Sequence, residues 1–214
     1  MASTETPANS TIPRPKLKPI GRESFNLPNA ITLSRLILAV VLFVMIYLEA
    51  WWLTAAALFV VAAGTDFLDG YLARKYGQVT TLGRIMDPFV DKIIICGAFI
   101  FLLEKNARFD SGVNSWMVII VVGRELFITS LRGFLEKQDI DFSASWSGKI
   151  KMALQCMAVT GALMSLSPHF QTAGFLNVRD IVLWTAVAVT AWSGVTYVGR
   201  AAQMIRQHAK ADAG

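Results

Sequence analysis

Four aspartates lie within 26 residues of a chain that is otherwise mostly apolar: Asp66, Asp69, Asp87 and Asp91. On a helix, residues three or four positions apart share one face, so these residues form two pairs. Carboxylate oxygens without a nearby histidine or cysteine are ligands typical of Mg²⁺ or Mn²⁺ sites. Two such ions about 4 Å apart can support a displacement at phosphorus. The stretch therefore predicts a divalent-metal site that acts on a phosphorylated substrate.

Small residues and one arginine separate the two aspartate pairs. Gly70 and Ala73 leave room for a nucleotide diphosphate against the helix backbone, and Arg74 can bind a phosphate with two parallel hydrogen bonds. Close helix packing is the alternative explanation for the small residues. A path of carboxylates for cation transport is another alternative, but it would spread the acids across the membrane depth. The short link between the pairs instead predicts antiparallel neighbouring helices with all four acids at one level.

The composition favours an integral membrane protein. Of 214 residues, 54% are hydrophobic and 16% are charged, whereas soluble domains carry about 25% charged residues. The net charge of +5 in so apolar a chain favours anionic lipid headgroups and phosphorylated substrates over nucleic acid as partners. The two cysteines lie in apolar runs and the two histidines are far apart, so neither a disulfide nor a histidine metal site is expected.

The elements that must position the aspartates are six apolar segments. They lie at about residues 30–48, 51–73, 84–103, 115–134, 149–166 and 179–204. We predict an all-α integral membrane bundle of six transmembrane helices over residues 25–207, preceded by a disordered basic tail over residues 1–24. The basic segments fall on one side of such a bundle, so both termini and the aspartates are predicted to face the cytoplasm. The expected location is the inner (plasma) membrane.

The spacing D-x2-D-G-x2-A-R-x8-G-x3-D-x3-D, which runs from Asp66 to Asp91 without a gap or substitution, resembles the pattern of the CDP-alcohol phosphotransferases. The resemblance implies a six-helix fold, a homodimer, and displacement of CMP from a CDP-linked lipid by an alcohol, with two Mg²⁺ or Mn²⁺ ions. It implies that the metal ligands are Asp66, Asp69, Asp87 and Asp91. It makes Asp91 also the general base for the attacking hydroxyl. It implies that the CDP-lipid contacts are Gly70, Ala73, Arg74, Thr80, Asn29, Thr32 and Arg35.

Residues 26–35, 123–132 and 147–151 resemble the bacterial branch of that family that synthesises phosphatidylglycerophosphate. This resemblance implies CDP-diacylglycerol as the donor and glycerol 3-phosphate as the acceptor. The acceptor phosphate requires cations, and the candidates are Arg124, Arg132, Lys149 and Lys151. The lysines could instead reflect only the positive-inside bias, and Arg124 could be a structural ion pair with Glu125. An inositol phosphate or phosphatidylglycerol acceptor, and a cation transporter, are the alternative functions.

Overall fold

The computed structural model describes residues 27–49, 51–76, 81–137 and 146–211. Within these ranges the chain forms six α-helices and no strand: α1 Leu27–Tyr47, α2 Trp52–Tyr76, α3 Thr81–Phe109, α4 Ser115–Lys137, α5 Trp146–Ser165 and α6 Ala173–Ala211. A short 3₁₀ turn, Pro168–Phe170, lies between α5 and α6. Each predicted segment overlaps one helix, so the all-α prediction is confirmed. The predicted tail, residues 1–24, lies outside the described residues.

Three of the helix connections meet at one end of the bundle. Glu49, which follows α1, accepts a hydrogen bond from the Lys105 Nζ atom near the end of α3, at 3.2 Å. Arg179, near the start of α6, donates to the carbonyl of Asp110, which follows α3, and to the Ser165 Oγ atom at the end of α5, at 3.1 Å. We call this end of the bundle the distal end. Because each connection reverses the chain there, the end of α2 and the start of α3 lie at the opposite end, which we call the motif end.

Helix α1 fixes the relation between the two helices that carry the aspartates. Among the described residues, α1 packs closely against both α2 and α3, whereas α2 and α3 have fewer direct contacts with each other. The ring of Phe43 on α1 stacks on Phe101 of α3, with centroids 5.1 Å apart. A Cβ atom at Gly97 would lie 2.3 Å from the Phe43 ring, so only glycine allows this approach. The expected antiparallel arrangement of α2 and α3 is therefore held mainly through α1.

The outer surface of the bundle is apolar on every helix. Exposed large side chains include Val41, Val61, Ile100, Trp116, Met157 and Trp192. Within the described ranges, one helical stretch, Ala173–Gln207, is long and apolar enough to cross a bilayer by length and composition. Shorter apolar stretches lie at Thr32–Tyr47, Trp52–Thr65 and Ile150–Ser165. Charged residues interrupt the apolar runs of α3 and α4, which is why those helices do not meet the same criterion.

Candidate active site

The aspartate motif spans the last turns of α2 and the first turns of α3. Both segments are helical, so positions 66 and 69 share a face of α2, and positions 87 and 91 share a face of α3. The side chain of Asp91 is described. The structure describes only the helical backbone at Asp66, Asp69, Gly70, Ala73, Arg74 and Asp87. Thr80 lies outside the described residues.

Asp91 is held by a buried arginine from another helix. The Arg35 side chain on α1 is 1% exposed, and its Nη2 atom forms an ion pair with the Asp91 Oδ1 atom. The Arg35 Nε atom donates to the carbonyl of Ala62 on α2, at 3.2 Å. Ala62 lies one helical turn before Asp66, so Arg35 joins all three helices at the level of the motif. Asp91 keeps 28% of its side chain exposed, so a ligand can still reach its carboxylate.

The other predicted nucleotide contacts on α1 lie close to Arg35 in the helix. Thr32 is buried and stands one turn before Arg35, on the same face. Asn29 belongs to the first turn of α1, and its side chain lies outside the described part. These positions place the start of α1 at the motif end, beside the helices that carry the aspartates.

Two of the four predicted acceptor-binding cations meet at a single carboxylate. The Glu125 Oε1 atom accepts hydrogen bonds from the Arg124 Nη1 atom, at 3.3 Å, and from the Lys151 Nζ atom. Glu125 and Arg124 belong to α4, whereas Lys151 belongs to α5. The side chains of Arg124, Glu125 and Lys151 are 10%, 11% and 9% exposed, so the whole group is buried.

The Arg124 side chain also packs against α6. Its guanidinium carbon lies 5.4 Å from the centroid of the Tyr197 ring, in cation–π geometry. Its Cγ atom would lie 3.3 Å from a Cβ atom at Gly194, so that glycine accommodates the arginine stem. Among the described residues, the Arg124 Nε atom is buried and has no hydrogen-bond partner. Arg124 also lines a cavity of about 390 Å³ between α4 and α6, whose other lining side chains are mainly apolar.

Of the other two predicted acceptor-binding cations, Arg132 stands apart from this group. Arg132 is exposed on α4, about 12 Å along the helix axis from Arg124. Lys149 lies in the first turn of α5, two residues before Lys151, and its side chain is outside the described part. The structure therefore brings together Arg124 and Lys151, and it does not bring Arg132 to them.

Helix α3 connects the two groups of charges. It packs against α1 on one side and against α4 and α5 on the other. Lys92, the residue after Asp91, lies close enough to Lys151 for their charges to interact. Cys96, one turn further along α3, is within electrostatic range of Glu125 and Lys151. The base predicted for the reaction and the cations predicted for the acceptor therefore lie on neighbouring faces of the same bundle.

Sequence reasoning did not assign a role to Lys92, Glu125 or Tyr197. From the sequence, Glu125 is expected only as a structural partner of Arg124. A buried acid in a membrane helix needs a cationic partner, and this signal pointed to Glu125. The sequence shows that Lys92 follows Asp91, but it does not show toward which helix the Lys92 side chain points. Nothing in the sequence singled out Tyr197 from the other aromatic residues of the last helix.

The predicted metal-binding residues suit a hard divalent cation because all their donors are carboxylate oxygens. Among the described side chains, no three histidine, cysteine or acidic groups come together. The side chains of the other three motif aspartates, Asp66, Asp69 and Asp87, lie outside the described part of the structure. The helical backbone on both sides and the reachable carboxylate of Asp91 are consistent with such a site.

Comparison with known proteins agrees with the motif. The sequence profile of the CDP-alcohol phosphatidyltransferase family matches residues 25–192. A Bacillus subtilis (strain 168) protein named CDP-diacylglycerol–glycerol-3-phosphate 3-phosphatidyltransferase is 35% identical over 190 residues, which are 82% of this chain and 95% of that protein. Proteins of the same name from Rickettsia bellii (33% identical, 80% of this chain and 93% of that protein) and Escherichia coli K12 (31%, 83% and 95%) are also similar. The chain belongs to the CDP-alcohol phosphatidyltransferase family.

Proposed function

We propose that this chain is a membrane enzyme that transfers the phosphatidyl group from CDP-diacylglycerol to sn-glycerol 3-phosphate. The products are phosphatidylglycerophosphate and CMP. One observation carries the proposal: the complete aspartate motif lies in a chain whose relatives of that name match it over most of both lengths. The buried cations of α4 and α5 add support, because the acceptor carries a phosphate dianion.

The reaction requires a base for the attacking alcohol. We assign this role to Asp91, which takes the proton from the acceptor hydroxyl as its oxygen forms a bond to the phosphatidyl phosphorus. The bond from that phosphorus to the bridging oxygen of the diphosphate breaks, and the electron pair leaves with CMP. Arg35 keeps the Asp91 carboxylate fixed relative to α1 and α2 through its ion pair and its bond to the Ala62 carbonyl. Positioning of this kind lowers the barrier by removing orientational freedom.

Members of the family generally depend on a divalent metal. The residues that would hold two Mg²⁺ or Mn²⁺ ions here are Asp66, Asp69, Asp87 and Asp91. A bound metal would supply positive charge that stabilises the diphosphate and the departing CMP. Gly70, Ala73 and Arg74 are proposed to bind the CDP moiety. Further contacts are proposed at Thr80, Asn29, Thr32 and Arg35.

The acceptor phosphate is proposed to bind at the Arg124–Lys151 pair. Lys149, two residues before Lys151 on α5, is proposed as a further contact of this phosphate, and Arg132 is proposed to attract the anion from the exposed part of α4. The apolar side chains exposed on all six helices support a multi-pass arrangement in the bilayer. The basic segments of the sequence support a cytoplasmic motif end in the inner (plasma) membrane. A homodimer is part of the proposal on the family resemblance alone.

The experiment is CMP release by purified protein from labelled CDP-diacylglycerol. We expect release only with Mg²⁺ or Mn²⁺ and an acceptor, and glycerol 3-phosphate should be the preferred acceptor among glycerol 3-phosphate, inositol phosphate and phosphatidylglycerol. The Asp91→Asn variant should fold and lose nearly all activity. Preference for another acceptor would overturn the substrate assignment, and full activity of Asp91→Asn would overturn the base assignment.

A further inference from the structure

Glu125 occupies the centre of the buried charges between α4 and α5. A single oxygen of its carboxylate accepts hydrogen bonds from Arg124 and from Lys151. All three side chains are about nine-tenths buried. Glu125 is therefore the residue that links the two cations, although a carboxylate cannot itself attract a phosphate.

Among the described side chains, the charges of this group do not balance, because one carboxylate, that of Glu125, faces two cations, Arg124 and Lys151. A buried excess of positive charge is costly unless an anion completes it. In the described part of the chain, the buried Arg124 Nε atom has no hydrogen-bond partner. The excess charge and the unused donor both indicate that an anionic ligand binds at this group.

In the described part of the structure, the bonds to Glu125 use few of the donors of the two cations. Lys151 has three N–H donors and Arg124 has five, and the described bonds to Glu125 use one from each. Without Glu125, two like charges would face each other in a buried site. A buried ammonium without a partner tends to lose its proton or to move toward water. The acid thus favours the charged form of Lys151 and holds it beside Arg124.

We infer that Glu125 is a positioning residue for the acceptor: it holds Lys151 as an ammonium beside Arg124 so that a phosphate monoester dianion meets cations from two helices. The inference rests on the proposed function, because it takes the acceptor of that reaction as its ligand. It assigns to Glu125 an effect on the acceptor alone, because in the described part of the structure the ion pairs of Glu125 are with Arg124 and Lys151, whereas Asp91 pairs with Arg35.

The Glu125→Gln variant tests this role. The KM for glycerol 3-phosphate should rise at least about tenfold, the loss expected for one charge-assisted hydrogen bond, while the KM for CDP-diacylglycerol stays within about twofold. Lys151→Met should have a similar effect. The double variant E125Q/K151M should be no worse than Lys151→Met, because Glu125 acts through that lysine.

Glu49→Gln provides a matched control. Glu49 also bridges two cations, Lys105 at 3.2 Å and Arg108 at 2.6 Å, but it does so at the distal end. Its neutralisation should reduce stability without changing either KM. This comparison separates a general effect of losing a bridging carboxylate from a specific effect on the acceptor.

An unchanged KM for glycerol 3-phosphate in Glu125→Gln would overturn the inference, and so would an equal rise for both substrates. If Glu125→Gln does not fold, the double variant decides, because it removes the uncompensated ammonium as well. If the double variant then has a KM for glycerol 3-phosphate tenfold above that of Lys151→Met, the positioning role of Glu125 is refuted. Failure of the wild-type protein to use glycerol 3-phosphate would refute the proposed function itself. That outcome is measured separately, by CMP release from the wild-type protein with each acceptor.

Discussion

Replacing Arg35 by methionine removes the cation that compensates Asp91 while keeping much of the side-chain volume. The ion pair joins a fully buried guanidinium to a carboxylate that is 28% exposed. Removal of one partner from a buried pair costs about 3–5 kcal/mol, and the partial exposure of Asp91 places the expected loss near the lower end. The Ala62 carbonyl also loses a donor from the Arg35 Nε atom. We expect a loss of about 3 kcal/mol, which corresponds to more than a hundredfold change in the unfolding equilibrium.

The activity of the same variant distinguishes two roles for Arg35. If Arg35 positions the base, kcat should fall at least about a hundredfold and the KM for CDP-diacylglycerol should change little. If Arg35 instead binds the nucleotide, the KM for CDP-diacylglycerol should rise. Both constants are obtained from CMP release in detergent micelles, and stability is obtained from denaturant titration in the same detergent.

Two further variants control for nonspecific effects. Arg108→Met breaks an ion pair in which the arginine is 71% exposed, so its cost should stay below about 1 kcal/mol. The double variant R35M/D91N also removes the Asp91 charge that pairs with Arg35, so it should recover most of the stability that Arg35→Met loses. Wild-type stability in Arg35→Met, or no recovery in the double variant, would refute the reasoning.

Three more outcomes are expected. A Gly97→Val variant should be destabilised by roughly 1–3 kcal/mol, because a Cβ atom would lie 2.3 Å from the Phe43 ring. Adding Phe43→Leu should restore part of this loss, as measured by thermal unfolding. A double variant as unstable as Gly97→Val would contradict this explanation. Burial lowers the pKa of Lys105, but its hydrogen bonds to carboxylates, chiefly that of Glu49, outweigh burial and raise the pKa above its ordinary value of 10.5. The raised pKa means that Lys105 stabilises the fold fully below about pH 10 and loses this effect as the pH rises through the folded pKa, so unfolding measured against pH should show an alkaline decline that is smaller in Lys105→Met. Removal of divalent metal with a chelator should abolish CMP release, and Mg²⁺ or Mn²⁺ should restore it; activity that survives exhaustive chelation would exclude the metal site.

Much of the fold could be predicted because its signals are local. Apolar runs of helical length gave six helices, and the residues between them gave the connections. The spacing of the aspartates within each helix likewise follows from the helical repeat alone. Helices α2 and α3 are neighbours, as predicted, but a short link fixes only which helices are consecutive and not how closely they pack. Side-chain packing at Phe43 and Gly97 made α1 the main contact of α3 instead.

The sequence by itself determined the family, the residue types of the proposed metal and nucleotide sites, and the candidate acceptor cations of α4 and α5. Only the tertiary structure decided which charges meet. Arg35 pairs with Asp91 across 56 residues, and Lys151 reaches Glu125 across 26 residues. Such pairs depend on the rotation of each helix about its axis and on its depth relative to its neighbours. Packing of side chains from different helices fixes these two quantities, and the periodicity of a single helix contains neither.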